Sequence, residues 1–92
     1  MPAPKRQRAH SYSVYVAVYT SEEVKQRIES NQEDFAQPGL IHAQLFYHDR
    51  SLAQAERAFA RAALFAMNNP LAFEVVMTRD SETIIRVKAH RF

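Results

Sequence analysis

Four histidines, His10, His42, His48 and His90, are the residues best suited to acid–base or metal chemistry in this chain. His42 and His48 share a strand parity but stand six residues apart, about 20 Å along an extended backbone, so they cannot hold one metal ion. No HExxH, HxH or carboxylate–histidine spacing occurs, and a chain without cysteine has no thiolate zinc site, iron–sulfur cluster, disulfide or cysteine nucleophile. Gly39 is the only glycine, which excludes the phosphate-cradling P-loop and the dinucleotide fingerprint. Ser11, Ser13, Asp49 and Asp80 supply parts of a nucleophilic triad without an activating context. A pairing of His48 with His90 or Lys88 is the arrangement that would suit ribonuclease-type chemistry. The expectation is a protein that is not an enzyme, with no metal, no cofactor and no small-molecule substrate.

Binding chemistry is better represented. The first ten residues form a basic arm in which Pro2 and Pro4 disfavour regular structure, and Lys5, Arg6 and Arg8 face no acid. Such an arm is either a frayed, solubilising terminus or a segment that orders on phosphates or on an acidic partner. Strand parity collects Tyr15, Tyr19, Phe46, His48, Arg86, Lys88 and His90 on one sheet face, beside His42, Gln44 and Ile84. Rings that stack on bases, interleaved with cations that track phosphates, are the chemistry of a single-stranded nucleic-acid platform. A polar sheet face that meets solvent or protein has the same composition, and both readings stay open. Arg57 and Arg61 stand four apart on one helix flank with Gln54, and Arg50 precedes that helix.

Acid is segregated from these cations. Residues 20–34 hold Glu22, Glu23, Glu29, Glu33 and Asp34 against Lys25 and Arg27. The formal charge of +2 therefore hides a polarised molecule, with an acidic docking edge at Glu22, Glu23, Glu29 and Glu33 and basic surfaces elsewhere.

The elements that must position these groups follow from periodicity. Ser11–Tyr19 alternates as a strand with Tyr12, Val14, Val16 and Val18 on its core side. Thr20 and Glu23 have capping-box spacing, and the first helix, with Val24 and Ile28 as its apolar stripe, should weaken near residue 30. Pro38-Gly39 is a stop signal. Leu40–His48 reads as a strand with Ile41, Ala43, Leu45 and Tyr47 inward. Ser51 and Gln54 cap a second helix to about Met67, with Leu52, Ala55, Phe59, Ala62 and Ala66 inward. Leu71–Thr78 and Thr83 to about Phe92 read as a hairpin around Arg79-Asp80-Ser81, the last strand placing Ile85, Val87 and Ala89 inward. The expected fold is α+β, a two-layer sandwich of order β-α-β-α-β-β: a four-stranded sheet with two helices on one face, one domain over residues 11–92. No apolar run approaches the length of a membrane helix, and the basic arm lacks the apolar stretch of a secretory signal.

With its small size, cysteine-free chain, β-α-β-α-β-β order and segregated charge, the chain resembles phage-encoded anti-CRISPR proteins, most suggestively in SVYVAVYTSEEVKQRIES (residues 13–30). Those proteins share no common motif, so the role of no residue is carried over by position. The resemblance implies a non-enzymatic inhibitor acting in the host bacterial cytoplasm. Its partners would be the proteins and guide RNA of a CRISPR–Cas effector, a type I surveillance complex in particular, and it would block target DNA recognition. The alternative is a freestanding single-stranded nucleic-acid-binding module or small phage regulator.

Overall fold

A computed structural model describes residues 10–30 and 39–89. The elements are β1 (Tyr12–Tyr19), α1 (Glu22–Glu29), β2 (Ile41–Asp49), α2 (Leu52–Met67), β3 (Ala72–Arg79) and β4 (Glu82–Lys88). They form an α+β fold around one antiparallel sheet of order β2-β1-β3-β4, in the expected chain order. Lys5, Arg6, Arg8, Glu33 and His90 lie outside the described residues. Among the described residues, no helix is long and apolar enough to cross a membrane.

α2 crosses from β2 to β3 and lies over β2, β1 and β3. Its contact line is made of Ala55, Ala58, Ala62 and Ala66, all essentially without exposure. Methyl side chains let the helix approach closely, so the branched side chains of Val14, Val16 and Val75 and the long chain of Met77 fill the layer between helix and sheet. Ala58 joins this line where Leu52 was expected, and Leu52 is exposed at the helix start. Ser51 caps α2, its hydroxyl accepting from the Gln54 amide at 3.1 Å. In place of the reciprocal bond from the Gln54 side chain, the Tyr47 hydroxyl accepts from the Ser51 backbone N–H at 3.0 Å.

α1 is capped by Ser21, whose hydroxyl accepts from the Val24 amide, rather than by Thr20. The Thr20 hydroxyl instead donates to the carbonyl of Gly39 at 2.9 Å, where the positive φ of 87° suits glycine. This bond and Thr20 N–H to Leu40 carbonyl tie the end of β1 to the start of β2. α1 ends at Glu29, close to the expected weakening, and touches the sheet only at β1.

Three β-bulges, one in each ladder, decide which side chains face which way; in the β3–β4 ladder Met77 pairs with Ile85 and Thr78 with Thr83, so Ile84 is the extra residue. Between β1 and β2, Val14 pairs with Tyr47 and Tyr15 with Leu45, leaving Phe46 as the extra residue. Phe46 and Tyr47 therefore both lean onto the α2 side. This overturns the assigned parity of β2 over most of its length: Ile41, Ala43 and Leu45 pair with Tyr19, Ala17 and Tyr15 on the open face, while His42 and Gln44 sit opposite Val18 and Val16. Between β1 and β3, Ala17 pairs with Glu74 and Val18 with Ala72, so Phe73 is the extra residue.

β3 and β4 join through Asp80 and Ser81, both at positive φ (51° and 71°), the two-residue turn whose twist suits a hairpin. Asp80 also receives the Ser11 N–H on Oδ1 at 2.9 Å and meets His10 Nδ1 at Oδ2, 2.7 Å away. The last residue assigned to the arm is thus fastened to the hairpin. Ile85 and Val87 do pair with Met77 and Val75 on the core side, but α2 does not reach β4, and both stay exposed. β4 is an edge strand exposed along its length; it ends at Lys88, short of the expected end near Phe92, and residues 90–92 lie outside the described residues.

Candidate functional site

The open face is organised in rows that run across the strands. One row is Ala43, Ala17, Glu74 and Lys88, and the next is Leu45, Tyr15, Val76 and Arg86. On the other side of the alanine row, Tyr19 stacks on Phe73 with ring centroids 4.3 Å apart and planes 26° apart. Two alanines between rows of larger side chains leave a trough of about 380 Å³, floored by Ala17 and Ala43 and bounded by Tyr15, Ile41, His42, Phe73 and Glu74. The bulge at Phe73 builds it. By turning Phe73 and Glu74 to the same side, it sets a ring and a carboxylate next to each other along one strand.

Glu74 is the electrostatic centre of this face. Its side chain is 13% exposed, and Oε2 lies 3.4 Å from Arg86 Nε and 3.5 Å from Lys88 Nζ. Arg86 and Lys88 remain about half exposed, so their outer sides stay open to an anion. Burial, and secondarily the Glu29 carboxylate, push the Tyr19 phenol above its usual value.

A second feature lies on the α2 side. Tyr47, Gln54, Arg57 and Arg61 line a groove of about 270 Å³ between the helix flank and β2. The Tyr47 hydroxyl lies 3.4 Å from Gln54 Oε1, to which it donates. Arg57 and Arg61 make no hydrogen bond or ion pair with any described residue, so two guanidinium groups one helical turn apart stand over the groove.

The expected site residues separate accordingly. Tyr15, Arg86 and Lys88 come together at the open-face trough. Tyr19 is on that face but only 4% exposed, stacked and covered at the strand end, so its ring is not a free platform. Phe46 is removed from the open face by its bulge and packs on Phe65 of α2, 5.3 Å between centroids. His48 is exposed on the open face, where Nδ1 lies 2.7 Å from the Ser13 hydroxyl of its cross-strand neighbour. This serine–histidine contact joins two strands, and His48 meets no carboxylate among the described residues that would orient it for catalysis. Arg57 and Arg61 share the helix-side groove. Glu22, Glu23 and Glu29 are exposed on α1, with Glu23 paired to Arg27 one turn on. Among the described residues, no group of three or more His, Asp or Glu side chains could hold a metal ion.

Glu74, Phe73 and the two floor alanines were not singled out by residue type. The available signal for Glu74 was its isolation: it is the one acid between Glu56 and Asp80, in a strand expected to pair with one bearing Arg86 and Lys88. No protein-family model, curated protein or solved structure matches the chain.

Proposed function

We propose that the chain is a non-enzymatic inhibitor that binds a CRISPR–Cas effector complex in the host bacterial cytoplasm and blocks target DNA recognition. The supporting observation is the separation of opposite charges onto different exposed surfaces. Glu22, Glu23 and Glu29 stand on α1, which leaves the sheet at the Tyr19 end of β1. The Arg57–Arg61 groove begins at Tyr47 and Gln54, toward the other end of the same strand. In a ribonucleoprotein, basic protein surface and anionic RNA lie side by side, and such a molecule meets both. The acids of α1 dock on lysine- and arginine-rich protein that otherwise receives DNA, while the cations approach the guide RNA. Occupying that channel prevents hybridisation by exclusion, without any bond being made or broken.

A freestanding single-stranded nucleic-acid-binding module is the second reading, favoured by the trough beside Tyr15, Arg86 and Lys88. The test is the binding of labelled target DNA by a purified type I effector with this protein at saturation. Loss of DNA binding, weakened when Arg57 and Arg61 of the helix-side groove are both reversed to Glu, supports the inhibitor. Unchanged DNA binding contradicts it.

A further inference from the structure

We infer that the open-face trough is a pocket for one unpaired nucleobase that carries an exocyclic amine, with Glu74 as the acceptor that selects it. This deepens the nucleic-acid contact of the proposed function and rests on that reading.

The floor is the cross-strand pair Ala17 and Ala43, which removes side-chain bulk where the neighbouring rows carry Tyr15 and the Tyr19–Phe73 stack. Same-face neighbours along a strand are about 7 Å apart, so an alanine between two larger residues opens a slot of ring dimensions. At about 380 Å³ the trough is near the lower end of the usual range for small-ligand sites. Tyr15 is partly exposed at its wall and offers a ring face to a planar guest.

Glu74 sets the preference. Both of its ion pairs fall on Oε2. Oε1 makes neither of them and is not sealed from solvent without a partner, so it remains able to accept a hydrogen bond from a guest. The two cations hold the carboxylate in place. A carboxylate accepts and does not donate, so it fits the exocyclic amine of cytosine, adenine or guanine, whereas uracil offers it only the N3–H, flanked by the O2 and O4 carbonyls that it repels. Arg86 and Lys88, half exposed beside it, supply the positive charge that the adjoining phosphates require. The same pocket in a protein-only interface would meet a side chain and show no base preference.

The experiment is fluorescence anisotropy with labelled five-nucleotide RNAs of A, C, G or U at low salt, using the full chain and Glu74→Gln, Ala43→Leu and Tyr15→Ala variants. Thermal melting of each variant checks folding. The wild type is expected to bind oligo(U) at least about fivefold more weakly than the best amine-bearing oligomer. Glu74→Gln, whose amide also donates, should close or reverse that gap, and Ala43→Leu, at an exposed edge position, should weaken binding of all amine-bearing oligomers. Equal binding of the four wild-type complexes, or a gap that survives Glu74→Gln, overturns the base pocket and leaves the inhibitor reading standing. Failure of every oligomer to bind overturns the RNA contact as well. Blocking of the effector by Glu74→Gln at wild-type strength, together with absent base preference, assigns this face to protein and overturns the inference alone.

Discussion

The two faces of the sheet are made from the same strands by alternate residues, and small side chains do opposite things on them. On the covered face, Ala55, Ala58, Ala62 and Ala66 of α2 bring the helix down onto Val14, Val16, Val75 and Met77, and nothing of that layer meets solvent. On the open face, Ala17, itself only 7% exposed, and Ala43 lie between larger side chains, and the missing bulk becomes a trough. A methyl group therefore means close packing where a second layer covers it and a vacant slot where none does. Polarity follows the same division outside β2, whose Ile41, Ala43 and Leu45 lie on the open face and whose His42 and Gln44 lie on the other. The charged side chains Glu74, Arg86 and Lys88 occur on the open face, where water or a partner solvates them, whereas no polar side chain is buried in the described core.

Substitutions on the two faces should sort by this difference. Met77→Ala, at 1% exposure, has the largest expected effect, a loss of about 2–5 kcal/mol measured by urea unfolding. The most direct challenge is a matched pair. Ala62→Leu should destabilise by about 1–3 kcal/mol because the helix must lift, whereas Ala43→Leu, on exposed β2, should stay within about 0.5 kcal/mol. Equal effects in the pair would erase the distinction between the faces. Ser51→Ala should lower stability by about 0.5–2 kcal/mol by removing the α2 cap, read as a shift in the thermal midpoint.

The smallest expected effect concerns the hairpin end of the sheet and depends on pH. The Ser11 backbone N–H, then His10, holds the Asp80 carboxyl below the ordinary aspartate value of 3.8. A depressed folded-state pKa contributes stability above the unfolded value and loses it as pH falls through the folded one. Asp80→Asn should therefore be less stable than the wild type near neutral pH, with the gap closing below pH 3.8. Melting curves at stepped pH check the sign; a gap that widens in acid contradicts the assignment.

The sequence carried the element order because each segment announces itself locally. Alternating Val14, Val16 and Val18 marks β1, and the Ser51–Gln54 cap with its alanine line marks α2. Strand faces are a different matter, since one extra residue reverses parity and a bulge has no composition of its own. In β2, Ile41, Ala43 and Leu45 are the more apolar set, so alternation assigns them inward, yet the bulge at Phe46 sends them to the open face. That reversal moved Phe46 away from the expected binding surface and brought Ala43 into it. Tyr19 followed its parity but lost its exposure, because stacking on Phe73 and the adjacent α1 are tertiary events. Arg57 and Arg61 could be read in advance because their grouping needs only helical spacing. Glu74 could not, because its importance arises from β3–β4 pairing and from the neighbouring bulge.

The central claim is that this polarised surface recognises an assembled protein–RNA complex rather than RNA alone. The direct measurement is the affinity of the full chain for a purified type I effector and, at the same salt concentration, for the guide RNA extracted from it. Tight binding to the assembled effector with much weaker binding to the naked guide is the predicted result. Equal or tighter binding to the naked guide would contradict it.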